Sequence, residues 1–452
     1  ILAFAIPTLV DGCENREIVS FFQKNKSVIR EKELTQEVVD KYLLPKDFRI
    51  VSNQGGNLFH HRRKMSDGEV VLLVNSDLNE SSKGMVQLAG AGVVELNTFS
   101  GKVVDYPNSR SSENVKFDYE LSPGGHLLVY VFEKKHHSYQ SSPVTTQREY
   151  IMPVSPLKIN PLADNVLVVD FCDLELADSV HKDIHIYEAD QKVFKHFGFP
   201  EGNPWGTAIQ YKKNIVERDI NKHEGFKLTY HFQFDNLFNV STADWKIVIE
   251  RSNLYSIAIN GIEVSNQTNE WWLDRDFCVL PLGKYICNGV NSLTLSIDSM
   301  NLDAEPAPIY VLGDFKLLSA EHGWKMVGLN NKIELGSWRV QGSPFYADAV
   351  TYEQSFQVPY CENMGYEVQL GKWNGTVSEV LVNGVSAGII AFKPYTLDVS
   401  KLIRPGINQI SVKVVGSNKN LFGPFHNESS IGFVTPNLYK GTVNYPAGKD
   451  YM

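Results

Sequence analysis

Residues 378–415 read SEVLVNGVSAGIIAFKPYTLDVSKLIRPGINQISVKVV. Two apolar runs flank Asn383-Gly384, and Asn-Gly is a strong hairpin signal because both residues tolerate the positive φ of a type I′ turn. Pro405-Gly406 marks a second turn. After it Ile410, Val412 and Val414 alternate with Gln409, Ser411 and Lys413, the period of a strand with one face in a core. This stretch therefore belongs to an antiparallel sheet.

The same pattern occurs earlier. Gly289-Val290-Asn291-Ser292-Leu293-Thr294-Leu295-Ser296-Ile297 matches Gly406-Ile407-Asn408-Gln409-Ile410-Ser411-Val412-Lys413-Val414 in apolar and polar character. Ile259-Asn260-Gly261-Ile262 answers Val382-Asn383-Gly384-Val385, and Phe232-Gln233-Phe234 answers Phe356-Gln357-Val358. The repeat is about 120 residues long, a size that suits a sandwich domain and exceeds solenoid periods. The expected fold is mainly β: tandem antiparallel β-sandwiches of galactose-binding-like jelly-roll type, over 165–320 and 323–452. A small antiparallel β domain (50–135), a linker (136–164) and the tail of an α/β domain (1–49) are expected ahead of them.

The tail is read from Ile18, Phe21 and Phe22 on one helical face and Val38, Val39, Tyr42 and Leu43 on another, stopped by Pro45. Two helices and one apolar strand cannot enclose a core, so the rest of that domain is expected before residue 1. From Leu58 the period changes from 3.6 to 2, with a hairpin across Ser66-Asp67-Gly68 and further short strands as far as Phe132. Between Ile186 and Tyr211 an insertion carrying Phe194, Phe197, Phe199 and Trp205 interrupts the first sandwich, as loops that meet ligands do.

Composition narrows the function. The chain has 452 residues, 43% of them hydrophobic, and a formal charge of −9. Its longest basic run is His60-His61-Arg62-Arg63-Lys64, so the broad positive face of a nucleic-acid binder is lacking. The apolar opening Ile1 to Val10 is about half a membrane span and has no basic flank, so no membrane span is expected. Five cysteines show no metal-ligand spacing; Cys278 and Cys287 could meet across a turn. There is no GxSxG elbow or P-loop, and His223-Glu224 lacks the second His of a zinc protease motif. Glu263, Asp274, Asp276, Glu379 and Asp398 fall at turns, where acids serve solvation unless two of them flank a glycosidic bond.

Aromatic residues near hairpin tips offer different chemistry. The CH face of a sugar stacks on an indole or phenol ring while neighbouring amides and carboxylates take its hydroxyls. Trp271, Trp272 and Asp274 in the first module, and Trp373, Asn374, Phe392 and Tyr395 in the second, are the carbohydrate-binding candidates, with His426 near the C-terminus. Each has a packing alternative. Adjacent Trp271 and Trp272 in a strand point to opposite faces, so at least one belongs to the core. His61 and Arg62 are candidate contacts of a cleft or ordinary residues of a hairpin strand.

Several stretches together resemble a known group. Asn165-Val166-Leu167-Val168-Val169-Asp170-Phe171-Cys172, Asn203-Pro204-Trp205, Trp271-Trp272-Leu273-Asp274, Ile309-Tyr310-Val311-Leu312-Gly313-Asp314-Phe315 and Gly342-Ser343-Pro344-Phe345-Tyr346 look like the C-terminal half of large glycoside hydrolases similar to the family 106 α-L-rhamnosidases. The Asn-Gly and Pro-Gly hairpins also resemble the sugar-binding domain of family 2 hydrolases. The segment Phe59-His60-His61-Arg62-Arg63 with the strands after it looks like the small β domain that follows the catalytic barrel.

The resemblance implies a parent that hydrolyses O-glycosyl bonds, with catalytic carboxylates on an upstream (β/α)₈ barrel, calcium in some members, and an oligo- or polysaccharide partner. No eightfold alternation of strand and helix exists in this chain, so the catalytic residues are unknown and no metal ligands are assigned. The expectation is a carbohydrate-binding accessory portion packed against that barrel, in the periplasm or exterior of a bacterium. The alternatives are a stand-alone carbohydrate-binding or adhesion protein, and an enzyme with its site between the sandwiches.

Overall fold

The computed structural model describes residues 1–43, 48–134, 139, 149–206, 209–220, 223–235, 244–320, 323–328, 333–359 and 364–422. They are mainly β, in antiparallel sheets that build several sandwich domains, with few helices. The chain divides into two compact units, residues 1–150 with 392–396, and residues 151–391 with 397–452. Among the described residues no helix is long and apolar enough to cross a membrane.

The first unit opens with strands Leu2–Ala3 and Ile29–Arg30, paired in parallel, with helix Arg16–Lys24 between them. Asn15 caps that helix, its side-chain oxygen accepting the N–H groups of Glu17 and Ile18. Phe21 on the expected apolar face is exposed, and the helix buries no residue fully. The second expected helix is one α turn, Gln36–Val38, running into a wider turn at Val39–Leu43; Pro45 lies outside the described residues.

The small β domain sets a five-stranded sheet against a four-stranded one. Alternation does the work: Val71, Leu73, Val129 and Val131 from the first sheet and Val86, Leu88, Phe117 and Leu121 from the second point inward and share one core. Fully buried Asn75 ties the end of that core, donating to the carbonyl oxygens of Glu80 and Ser122 and accepting the N–H groups of Asn57 and Asp77.

In the second unit the first module has two facing sheets around a single large core. One holds Asn165–Val169, Ile309–Gly313, Lys246–Glu250, Asp274–Pro281 and the edge strand Trp271–Trp272; the other is centred on Phe226–Phe234 and Gly289–Ile297. Helix Ile186–His196, in the expected insertion, drives Val193 and Phe194 into that core, joined by Phe197 and Phe199. The insertion is thus partly structural.

The described residues of the second module give a five-stranded sheet and a two-stranded pair. Its edge strand is Lys158–Pro161, from the segment read as a linker, paired with Ala349–Val358 through Ile159 opposite Tyr352. Upstream, the Val154 N–H donates to the Ser355 carbonyl at 2.7 Å. Cys278 and Cys287 do not meet: Cys13, Cys172, Cys278 and Cys287 are all free thiols, and Cys361 lies outside the described residues.

The sequence repeat is a repeat of register. Phe234 pairs with Gly289 as Val358 pairs with Gly406, and Ile259 pairs with Leu293 as Val382 pairs with Ile410. Both Asn-Gly turns have positive φ at both residues, 51° and 78° at Asn260-Gly261 and 52° and 80° at Asn383-Gly384. Beside each turn sits a buried asparagine with the same four bonds. Asn291 accepts from the Cys287 N–H (2.9 Å) and from Asn260 Nδ2 (2.7 Å), and donates to the carbonyls of Cys287 (2.7 Å) and Gly289 (3.1 Å). Asn408 accepts from the Arg404 N–H (3.0 Å) and Asn383 Nδ2 (2.9 Å), and donates to the carbonyls of Arg404 (2.6 Å) and Gly406 (3.2 Å).

Removing either amide strands several buried polar groups at once. Asn291→Ala and Asn408→Ala are each expected to cost on the order of 3 kcal/mol, read as a lowered midpoint in urea unfolding. A loss below about 1 kcal/mol at both positions would mean that these corners do not hold the sheets.

Candidate functional site

The structure separates the two tryptophans that sequence leaves together. Trp272 turns inward, its ring 5.4 Å from that of Tyr310 and packed on the core. Trp271 is 55% exposed on an edge strand. The hairpin tip is Leu273, held at φ 64°, and the exposed Asp274 follows it, its carboxylate accepting the Asp276 N–H at 2.9 Å. Asp276 in turn holds Arg251 at 3.0 Å. The hairpin that exposes the Trp271 indole thus also carries these two acids.

Trp373 is half-buried, and a Cβ on Gly375 would come within 2.7 Å of both its ring and Val414, so the indole lies against strand Gly406–Val415. Asn374 is exposed. Phe392 is exposed and Tyr395 half-buried at φ 60°, the Tyr395 N–H donating to the Phe392 carbonyl. Those two fall in the first unit whereas Trp373 and Asn374 fall in the second. His426 lies outside the described residues.

In the small β domain, His61 is exposed on strand Leu58–Lys64. Arg62 is largely enclosed: its guanidinium meets Glu69 at 2.7 and 2.8 Å and lies 4.5 Å over the Phe48 ring. Its donors face a protein carboxylate, and that paired geometry serves the hairpin. The turn acids are similarly engaged. Glu379 accepts from the Ser386 hydroxyl at 2.8 Å and Asp398 from the Ser400 N–H at 2.9 Å.

A different cluster was not singled out from sequence. Asn203 Nδ2 donates both to Asp190 (3.0 Å) and to Glu305 (2.6 Å), so one amide holds two carboxyl groups within a few ångströms of each other. Asp190, on helix Ile186–His196, is 7% exposed and also accepts from Gln191 at 3.1 Å. Burial pushes its carboxyl up to about 7, and the Glu305 charge adds to this against the pull of the two amides. Burial likewise raises Glu250, with Arg251 opposing it. Trp205 fixes the loop by donating Nε1–H to the Leu302 carbonyl at 2.8 Å. Asn203-Pro204-Trp205 was legible as a motif; its acid partners, Asp190 13 residues before it and Glu305 102 residues after it, were not.

Glu305 also borders, with Glu250 and Tyr255, a void of about 10 Å³, room for about one water. Among the described residues no three His, Cys, Asp or Glu side chains converge on a metal position.

No protein-family model matches the chain, and no curated protein matches it. Among solved structures it is distantly similar to parts of glycoside hydrolases. A rhamnosidase from Novosphingobium sp. PP1Y aligns at 13% identity over 89% of this chain and 24% of its own, with a TM-score of 0.37. The Streptomyces avermitilis α-L-rhamnosidase complexed with L-rhamnose aligns at 14% identity over 83% and 38%, with a TM-score of 0.25. A β-D-mannosidase from Dictyoglomus thermophilum aligns at 9% identity over 58% and 31%, with a TM-score of 0.23. At these values the likenesses assign no family, and the chain spans about a quarter of the Novosphingobium enzyme's length.

The buried carboxyl makes a signed prediction. Between its ordinary value of 3.8 and about 7, the folded chain keeps the Asp190 proton that the unfolded chain has lost. This contribution to stability is therefore greatest at acid pH and falls as pH rises through that window, by roughly 4 kcal/mol at most. Asp190→Asn should melt higher than the parent at pH 8 and gain little at pH 4. Calorimetric melting curves that keep the same separation at both pH values would refute a buried proton at Asp190.

Proposed function

We propose that this chain is the accessory, carbohydrate-binding portion of a larger glycoside hydrolase, with an α-L-rhamnoside as the parent's substrate class. Bond cleavage belongs to residues outside it, on a barrel against which these domains pack. The observation that carries the binding role is the exposure of Trp271, on the hairpin that also carries Asp274, while its neighbour Trp272 packs against the core. An indole left in water on a rigid edge strand forfeits the free energy that burial would give it, which suits a surface whose partner covers it. The flat CH face of a sugar ring is such a partner, with Asp274 accepting its hydroxyls.

The sequence resemblance supports the hydrolase parent and the polysaccharide partner. A polysaccharide is met in the periplasm or outside a bacterial cell, and that is the compartment we assign.

Affinity electrophoresis through gels cast with a rhamnose-containing pectic polysaccharide tests the reading. The chain should be retarded, and Trp271→Ala should weaken retention by about threefold to tenfold. Trp373→Ala should leave retention unchanged, as expected of a packing residue. An unretarded parent chain, or release of aryl rhamnoside by this chain above a buffer blank, would overturn the proposal.

A further inference from the structure

The small β domain carries a concavity that no sequence motif announced. It has a volume of about 580 Å³ and is bordered by Ser52, Gln54, Lys83, Asp118, Glu120 and the Tyr106-Pro107 corner. Usual small-ligand pockets span about 300 to 1,000 Å³. Pairing explains how these side chains come together. Glu120 lies opposite Lys83, and Lys83 opposite Gln54, so the three form one row across three adjacent strands. Asp118 stands two residues from Glu120 on the same face, exposed like it, while Tyr119 between them is buried.

The floor is pinned rather than adaptable. The register shifts between Ile50 and Ser52, a bulge that brings the Ser52 carbonyl against Gly84. A Cβ on Gly84 would sit 2.0 Å from that oxygen, so only glycine fits. Tyr119 and Ser82 both donate to Asn53 Oδ1, each at 2.8 Å, which locks the bulged strand to its neighbours. Tyr106 forms the wall: its hydroxyl donates to the Asp118 carbonyl at 3.0 Å and its ring meets Phe117 edge-on at 5.8 Å. Burial, with Glu95 and Asp118 adding to it, pushes that phenol up to about 12, so it stays neutral and its bond stays formed at physiological pH.

We propose that this groove is a second saccharide site, taking a short neutral sugar whose vicinal hydroxyls donate to Asp118 and Glu120 and accept from Lys83 and Gln54. The inference rests on the carbohydrate reading above and extends it to a place apart from Trp271. The chemistry of the walls selects the ligand class. Two carboxylates against one ammonium repel phosphates and uronic acids, which disfavours nucleic acid and acidic glycans. Tyr106 and Pro107 offer an apolar wall on which the CH face of a sugar can lie beside the charged and amide groups. A carboxylate that takes two hydroxyls holds them by charge-assisted bonds, the strong kind.

Titration calorimetry of the whole chain with rhamnose-, galactose- and mannose-based neutral trisaccharides tests it. At least one should bind. Glu120→Gln and Gln54→Ala, both exposed substitutions, should each lower that affinity, Glu120→Gln by about tenfold or more. Circular dichroism confirms that both variants fold. If the parent binds a trisaccharide and both groove variants bind it equally well, with the loss confined to Trp271→Ala, the groove proposal is wrong and the carbohydrate reading stands. If the parent binds none of the probes, the groove proposal is wrong whatever the gels show. Retention of the parent in polysaccharide gels would then preserve the carbohydrate reading, and its absence would remove both.

Discussion

A buried amide that satisfies all four of its hydrogen bonds, placed twice, is the constraint on which the sandwich modules depend. Asn291 and Asn408 each close a turn at one strand's start and clamp the Asn-Gly hairpin of a neighbouring strand. The geometry is specific because an amide side chain offers two donors and one oxygen with two lone pairs, and every one of these is used. An aliphatic residue of similar volume would keep the packing and lose the register. Buried polar networks that are complete act this way, fixing which strands pair and at which offset. The flanking glycines complete the device: Gly289 and Gly406 sit at φ 86° and 100°, where a Cβ is disfavoured.

From that frame two kinds of surface arise. Strands inside the sheets spend their side chains on the core, as Ile247, Val248 and Ile249 do when both faces of a strand are covered. Strands at the edges are covered on one side only, and there Trp271 is left outside. The first unit reaches a similar result differently. Its outer sheet face carries alternate polar residues by the same period that buries their neighbours, and a bulge with Gly84 bends that face into a concavity. Both candidate surfaces are thus by-products of alternation, sharpened by an edge in one case and a bulge in the other.

The acid cluster in the first module has another logic. Asp190 is held by amides instead of by a cation, in a place where a charge is costly. Its carboxyl therefore retains a proton well above the ordinary carboxylate range. The arrangement fastens the inserted helix and the Asn203 loop to the segment around Glu305, with Trp205 bonded to Leu302 beside it. Arg62, a candidate cleft contact or an ordinary hairpin residue by sequence, belongs with this structural chemistry, enclosed between Glu69 and the Phe48 ring.

Local pattern was enough to read the mainly β class, the two Asn-Gly hairpins, the equivalence of 289–297 with 406–414 and the strands of the small domain. These follow from local rules: side chains alternate every two residues along a strand, and positive φ favours Asn and Gly. It also determined that Trp271 and Trp272 part company, without saying which goes inside. Long-range packing was needed to set Trp272 against the core, to make Lys158–Pro161 an edge strand of a sheet formed nearly two hundred residues later, and to bring Asn203 between Asp190 and Glu305. The groove of Gln54, Lys83 and Glu120 is of the same kind, since it exists only once three strands are in register. The physical reason is that burial, cross-strand pairing and the solvation of a charge depend on neighbours distant along the chain, and no local period encodes which neighbours those will be.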